Sequence, residues 1–162
     1  MENVQDVYRL TPVQEGILFH AISDPDSDNY LQEFVCRLAG DVDEERLRAA
    51  WKTVVQRCPA LRTIFLWEEI DEPLQVVRET VALNWTSEDW RSLAAAEISQ
   101  RWTQWLAADR ERGFELATAP PSRMALIRQS EQQWRFVWSF HHLLLDGWST
   151  SMVIREVLDL YR

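Results

Sequence analysis

Two adjacent histidines, His141 and His142, end an aromatic stretch and are followed by three leucines and an Asp-Gly pair, Asp146 and Gly147. Histidine is the side chain that most readily accepts and returns a proton near neutral pH. A buried leucine run would hold one imidazole still, and a buried carboxylate needs a cation or several hydrogen-bond donors. Gly147 lets a backbone N–H come close to a reacting atom. The segment is therefore a candidate for proton-transfer chemistry.

The same spacing has simpler interpretations. A histidine pair is often one packed histidine beside an exposed one, and a His-x-x-x-Asp spacing also suits a metal site. The chain has only 3 histidines, and its 2 cysteines, Cys36 and Cys58, are far from this segment in sequence. We therefore expect no metal. Both cysteines fall in core-like patterns, which are typical of reduced, buried thiols.

The composition indicates one globular domain and disfavours two classes of partner. The 162 residues are 46% hydrophobic, enough for a core, and 17 basic against 26 acidic side chains give a formal net charge of -9. A nucleic-acid-binding surface would be basic. The N-terminus has no signal pattern, and no apolar run approaches the roughly 18 residues of a membrane span. We expect no nucleic acid or membrane partner and a cytoplasmic location.

Helical and strand patterns interleave along the chain. Thr11 and Gln14 predict a capping box for a first helix, with Val13, Ile17 and Ala21 on one face. Apolar periodicity predicts a second helix, capped by Asp41 or Asp43 and stopped by Pro59, and further helices at 92–109 and 149–161. Alternation and turn residues predict strands at 31–38, 63–67, 74–77, 123–128 and 133–140, with an extended piece at 81–85. This order predicts an α/β two-layer sandwich with a mixed sheet, and the histidine pair ends its last strand.

The motifs resemble those of a known family. Residues 141–149, HHLLLDGWS, are similar to the HHxxxDG signature of condensation domains from nonribosomal peptide synthetases, shared with the chloramphenicol acetyltransferase-like superfamily. Residues 10–20, LTPVQEGILFH, and 57–65, RCPALRTIF, resemble the first and second core motifs. The second departs from RHExLRTxF at Cys58 and Pro59. Residues 109–121 are similar to the RGFDL…AP stretch, and the four segments follow in the family's order.

The resemblance covers nearly the whole chain but only part of the family's domain. It implies a chloramphenicol acetyltransferase-like half-domain, in which residues 1–162 form the N-terminal lobe. The C-terminal lobe would then be absent from this chain, and the isolated lobe is expected to be inactive.

The implied reaction is amide bond formation. An acceptor aminoacyl thioester on a downstream carrier protein attacks a donor peptidyl or acyl thioester on an upstream one, and each is held on a phosphopantetheine arm. An adenylation domain would be a neighbour, and no cofactor would bind directly. His142 is the family's catalytic position, acting as a base or orienting the amine, and the Gly147 N–H is a candidate oxyanion donor.

The resemblance also implies how the site is supported. His141 and Asp146 would be architectural. Asp146 needs a cation, so we expect a buried or half-buried Arg62–Asp146 ion pair, with Arg57 as the reserve partner. A simpler alternative is that both arginines are solvated or favour the end of a helix.

Other functional classes remain open on the sequence. An epimerisation domain shares the HHxxxD core, although the DGWS continuation fits condensation better. A noncatalytic lobe that only binds a carrier protein is a second alternative. Free acyltransferases acting on coenzyme A thioesters are a third.

Overall fold

The computed structural model describes residues 3–24 and 27–162. Helices and strands alternate through these ranges, as the sequence patterns predict. In chain order they are β1 (Asp6–Arg9), α1 (Pro12–Ser23), β2 (Leu31–Ala39), α2 (Glu44–Arg57), β3 (Thr63–Leu66), β4 (Leu74–Val77), β5 (Trp85–Asp89), α3 (Ala95–Glu111), β6 (Ser122–Arg128), β7 (Gln133–His141) and α4 (Gly147–Tyr161). A short 3-10 helix at Pro59–Arg62 joins α2 to β3.

The strands form two sheets. The larger sheet has the order β2-β7-β6-β5, in which β5 and β6 are parallel and the other pairs are antiparallel. The smaller sheet has the order β1-β4-β3 and is antiparallel, so the hairpin predicted for β3 and β4 is confirmed. β2 pairs with β7 from Leu31 opposite His141 to Ala39 opposite Gln133. This register sets which residues surround the histidine pair.

One face of the larger sheet carries the aromatic core. The alternating aromatic residues of β7 point towards α2 because successive side chains of a strand face opposite sides. Trp51 of α2 and Trp138 of β7 are 1% and 0% exposed, and their ring centroids lie 4.8 Å apart in an edge-on contact. Phe136 stacks on Trp51 at 5.6 Å. This packing holds β7 rigidly up to the histidine pair.

The other face of the sheet contacts α3. The Arg135 guanidinium of β7 lies 4.1 Å from the Trp102 ring centroid, and Asp109 of α3 bonds β6 and β7 side chains. The predicted α/β class with a mixed sheet is confirmed. Helix α3 adds a layer on the second face to the expected two-layer arrangement.

The N-terminal helix matches its predicted start more closely than its predicted inner face. Thr11 and Gln14 form the capping box. Leu18 is 2% exposed, whereas Val13 is 72% exposed, so the inner face centres on Leu18. Ile17 and Ala21 pack partly against the core. Strand β1 was not predicted, because four residues without a buried side chain give no alternation of burial to recognise.

Candidate active site

The His142 ring is held by the loop that follows it. Leu143, Leu144 and Leu145 are 2%, 8% and 7% exposed, so this short connection to α4 is packed into the core. The Nδ1 atom of His142 lies 2.8 Å from the Leu145 carbonyl oxygen. Because a carbonyl only accepts hydrogen bonds, Nδ1 must carry the proton. In the neutral ring, Nε2 is then left as a hydrogen-bond acceptor.

A cleft opens beside this ring. His142 is half-buried, and the adjoining space has a volume of about 160 Å³. Its walls are Gln32, Glu33, Phe34, Phe140, His142, Leu145, Asp146, Gly147 and Thr150. The imidazole therefore borders an opening, where a molecule from outside the chain can reach it.

The start of α4 forms one side of the cleft. Gly147 is its first residue, and its N–H is one of the four that an α-helix leaves without an internal acceptor. The helix dipole adds partial positive charge at this end. A Cβ built at Gly147 would meet no atom within 4 Å, and its φ lies outside the left-handed region. Neither backbone conformation nor packing within the described residues requires glycine here.

The predicted Arg62–Asp146 ion pair is wrong. Asp146 is exposed and caps α4, where its Oδ1 accepts the Ser149 N–H at 2.8 Å. Hydrogen bonds from Ser149, with a smaller contribution from the charge of His142, lower the pKa of the Asp146 carboxyl. A solvated carboxylate at a helix N-cap already has donors and a favourable dipole, so it needs no cation.

Arg62 is buried, at 3% exposed, but acceptors other than carboxylates satisfy it. Its Nε donates to the Val55 carbonyl at 3.2 Å and its Nη1 to the Gln5 side-chain oxygen at 2.8 Å. Nη1 also donates to the main-chain carbonyls of Arg78 and Glu79. Among residues 3–24 and 27–162, no carboxylate lies within ion-pair distance of this guanidinium.

The reserve partner, Arg57, also lies elsewhere. Its guanidinium is largely exposed and forms an ion pair with Glu156 of α4 at 3.2 Å. It joins α2 to α4 on the surface. Neither arginine therefore contacts Asp146.

His141 faces a different opening. It is 8% exposed, and its Nδ1 accepts the Leu143 N–H at 3.2 Å. It borders a second cavity of about 610 Å³, whose other walls include Tyr30 and Leu116. Burial, assisted by the charge of His142, lowers the pKa of His141 to about 4. The two adjacent rings are thus opposite tautomers and border separate cavities. His142 Nδ1 donates to a main-chain carbonyl, whereas His141 Nδ1 accepts a main-chain N–H.

The buried His141 makes stability depend on pH. Between its ordinary pKa of 6.5 and about 4, the unfolded chain binds a proton here that the folded chain does not, so stability falls as pH falls. We expect the His141 contribution to lower the free energy of unfolding by about 2–3 kcal/mol from pH 7.5 to 4.5. Urea denaturation at both pH values, followed by tryptophan fluorescence, measures it.

A substituted chain isolates that contribution. Asn at position 141 keeps an acceptor for the Leu143 N–H but does not titrate, so His141→Asn should flatten the dependence. Wild type, measured under the same conditions, is the reference for the slope. An unchanged slope in His141→Asn would contradict the assignment.

Two residues that support the loop were missed in the sequence. The Gln14 side chain accepts the Thr11 N–H at 3.0 Å and also donates to the Leu143 carbonyl at 3.1 Å. The Tyr30 carbonyl accepts the His142 N–H at 2.8 Å. A further contact of Gln14 could have been predicted from the sequence, since its amide has donors that the capping box leaves unused. The contact of Tyr30 could not have been predicted, because its main-chain carbonyl makes it.

Two kinds of feature are absent from the part of the chain that the structure describes. No group of three or more His, Cys, Asp or Glu side chains there is arranged to hold a metal ion. No helix in residues 3–24 or 27–162 combines the length and apolarity needed to cross a bilayer.

Solved structures share this fold. The starter condensation domain of rhizomide synthetase RzmA superposes with a TM-score of 0.86 at 24% identity, covering 97% of this chain and 39% of that one. The four-domain nonribosomal peptide synthetase AB3403, bound to AMP and glycine, gives 0.84 at 19% identity, covering 98% of this chain and 12% of that one. At these identities the likeness establishes the fold.

Curated relatives are large synthases. The chain is 43% identical over 158 residues to one of the linear gramicidin synthase proteins of Brevibacillus parabrevis, covering 98% of this chain and 3% of that protein. It is 32% identical over 160 residues to surfactin synthase subunit 3 of Bacillus subtilis (strain 168), covering 99% of this chain and 12% of that protein. The chain thus spans a small part of these relatives. A family model for the condensation domain matches residues 4–162, so the chain belongs to the condensation domain family of nonribosomal peptide synthetases.

Proposed function

We propose that this chain supplies the histidine site for amide bond formation between a donor acyl or peptidyl thioester and an acceptor aminoacyl thioester. The observation that carries the proposal is the orientation of His142. Its Nδ1 is committed to the Leu145 carbonyl, which leaves Nε2 as the acceptor, and the ring forms part of the wall of the 160 Å³ cleft. An amine N–H can bond there while its lone pair remains free to attack.

Gly147 completes the proposed chemistry. The amine nitrogen attacks the thioester carbonyl, its proton passes to Nε2 of His142, and negative charge develops on the carbonyl oxygen. The Gly147 N–H at the start of α4 is the proposed donor to that oxygen. When the C–S bond breaks, the thiolate leaves and takes back the proton. His142 then returns to its neutral form, and one amide and one thiol have formed.

His141 and Asp146 are assigned supporting roles. His141 anchors the loop by accepting the Leu143 N–H. Asp146 caps α4 and so fixes where the helix begins. Both are proposed to act on the position of the reacting groups, although Asp146 also forms part of the cleft wall. Arg62 and Arg57 act on the fold around the site, through carbonyl contacts and through a surface ion pair respectively.

We also propose that residues 1–162 are the N-terminal lobe of a two-lobed domain. The chain covers 39% of the RzmA domain. Next to the cleft, α4 presents Trp148 and Met152, which are 83% and 71% exposed and lie one helical turn apart. Large contiguous apolar patches on a surface usually mark a contact with another domain or protein, and we propose that these two side chains belong to such a patch. The C-terminal lobe is the proposed cover.

The proposed partners follow from the reaction. An upstream and a downstream carrier protein would present the two thioesters on phosphopantetheine arms, and an adenylation domain would load the acceptor. The chain itself would bind no cofactor. The relatives support this arrangement, since AB3403 is a four-domain synthetase.

The test uses the full-length protein, by which we mean this chain together with the proposed C-terminal lobe, with separately loaded donor and acceptor carriers, and mass spectrometry of the acceptor-bound product. A new amide on the acceptor supports the proposal. Loss of α-hydrogen to solvent with no amide would instead indicate epimerisation. Carrier binding with neither reaction would indicate a noncatalytic lobe, and either outcome overturns the proposal.

A further inference from the structure

Three polar side chains form a row across the larger sheet, close to the histidine pair. Glu33 of β2 and Arg123 of β6 are both direct neighbours of Ser139 of β7. Opposed residues in a sheet share a face, so all three point towards α3. Ser139 lies two residues before His141. The row therefore crosses the sheet two residues before the histidine pair begins.

Two consecutive residues of α3 bind the whole row. Asp109 accepts from Arg123 Nε at 2.7 Å and from Ser139 Oγ at 2.6 Å. Arg110 donates from its Nε to Glu33 at 2.8 Å. Three neighbouring strands are thus joined through the last turn of one helix.

The central members of this network are buried and bonded to one another. Asp109, Arg123 and Ser139 are 6%, 4% and 1% exposed, although a space of about 250 Å³ adjoins them. The Arg123 guanidinium also donates to the Gly113 carbonyl at 2.6 Å, and it lies 4.1 Å from the Phe114 ring centroid. Leaving any of these buried polar groups unpaired would be costly, because the surroundings have a low dielectric constant.

A buried ion pair is a weak source of stability, since desolvation offsets much of its attraction. Its physical advantage is geometric, because Asp109 can bond Arg123 and Ser139 together only when β6, β7 and α3 are correctly placed. Among the described residues, Glu33 Oε1 is buried without a hydrogen-bond partner. Apolar contacts alone would tolerate small shifts of β7 against α3. The polar row does not.

We propose that Asp109 is a positioning residue for His142, acting through Ser139 and Arg123 to set where β7 delivers the histidine pair. The inference rests on the proposed function of His142. Asp109 lies on the α3 side of the sheet and is absent from the walls of the His142 cleft, to which the row contributes only Glu33. It acts by fixing the end of β7, from which His142 reaches the Leu145 carbonyl.

The test compares Ser139→Ala and Asp109→Asn with wild type in the full-length protein, using loaded carriers. A displacement of about 1 Å at a reacting group can cost about 100-fold in rate. We expect kcat to fall by roughly 10- to 100-fold, while KM for each loaded carrier stays within about twofold because no carrier contact changes. Ser139→Thr restores the hydroxyl and should recover kcat.

A second readout needs no substrate. The ¹⁵N chemical shifts of the His142 ring report which nitrogen carries the proton. Wild type should show a protonated Nδ1, whereas both variants should show a mixture of tautomers because the bond to Leu145 loosens. If wild type forms no amide, the proposed function fails, yet this measurement still tests the polar row.

The matched control is Asp89→Asn. Asp89 lies on β5 of the same sheet and forms an exposed ion pair with Arg91 at 2.6 Å, so kcat and the ring shifts should stay at wild-type values. If Asp109→Asn does not fold, Ser139→Ala alone decides, since it removes one hydroxyl and no charge. Wild-type kcat and a wild-type tautomer in folded Ser139→Ala would overturn the proposal.

Discussion

Replacing His142 by alanine should abolish amide formation in the full-length protein. The change removes the Nε2 acceptor beside the cleft and, with it, the group proposed to take the amine proton. Loss of general base catalysis typically costs about 10²–10⁴-fold, and lost alignment of the amine adds to that. The measurement is the yield of product on the acceptor carrier after a fixed time, determined by mass spectrometry.

The control for His142→Ala is another histidine of the chain. His20 is exposed, bonds the Tyr30 phenol at 2.7 Å through its Nδ1, and is absent from the walls of the His142 cleft. His20→Ala should retain the product yield of wild type. A wild-type yield from His142→Ala would remove this ring from the mechanism, whatever the structure around it.

Replacing Arg62 by alanine should have the largest effect on stability. The guanidinium is buried and supplies donors to three main-chain carbonyls and to Gln5. Its removal leaves those acceptors without partners in a space that water reaches poorly, and it leaves a cavity. We expect the free energy of unfolding to fall by roughly 2–5 kcal/mol, measured by urea denaturation.

Arg57 provides a comparison within the same motif. Its side chain is 61% exposed and pairs with a Glu156 side chain that is 42% exposed. Surface ion pairs contribute about 0–1 kcal/mol, so Arg57→Ala should barely change the urea midpoint. Equal losses in the two variants would show that the buried carbonyl contacts of Arg62 carry no special weight.

The sequence predicts most of the fold because its elements are strongly periodic. The alternation of Trp134, Phe136, Trp138 and Phe140 identifies β7, and the apolar stripe identifies α2. The parallel pairing of β5 with β6 could not be predicted, since nothing local to either strand encodes its neighbour. The position of α3 on the second face of the sheet could not be predicted for the same reason.

The candidate site is partly local in sequence and was predictable to that extent. His142, Leu145 and Gly147 lie within six positions of one another, so one motif contains the ring, the carbonyl that orients it and the start of α4. The role of Asp146 was misjudged because the helix was expected to begin at Ser149. It begins at Gly147, which makes Asp146 its N-cap. Asp three residues before Ser149 is itself a helix-start pattern.

The remaining supports depend on register and on main-chain atoms. The row of Glu33, Ser139 and Arg123 exists only once β2, β7 and β6 are paired. The partners of Arg62 are mostly carbonyls, which every residue carries and no sequence distinguishes. Such contacts become visible only in three dimensions.

The pairing of β2 with β7 has a consequence for recombining synthetases. The cleft takes Gln32 and Phe34 from β2, and Phe140 and His142 from the end of β7, although these segments lie far apart in the chain. A chimaera joined anywhere between the two strands would set the wall of one parent against the imidazole of another. Junctions that keep both strands from a single parent leave this cleft intact.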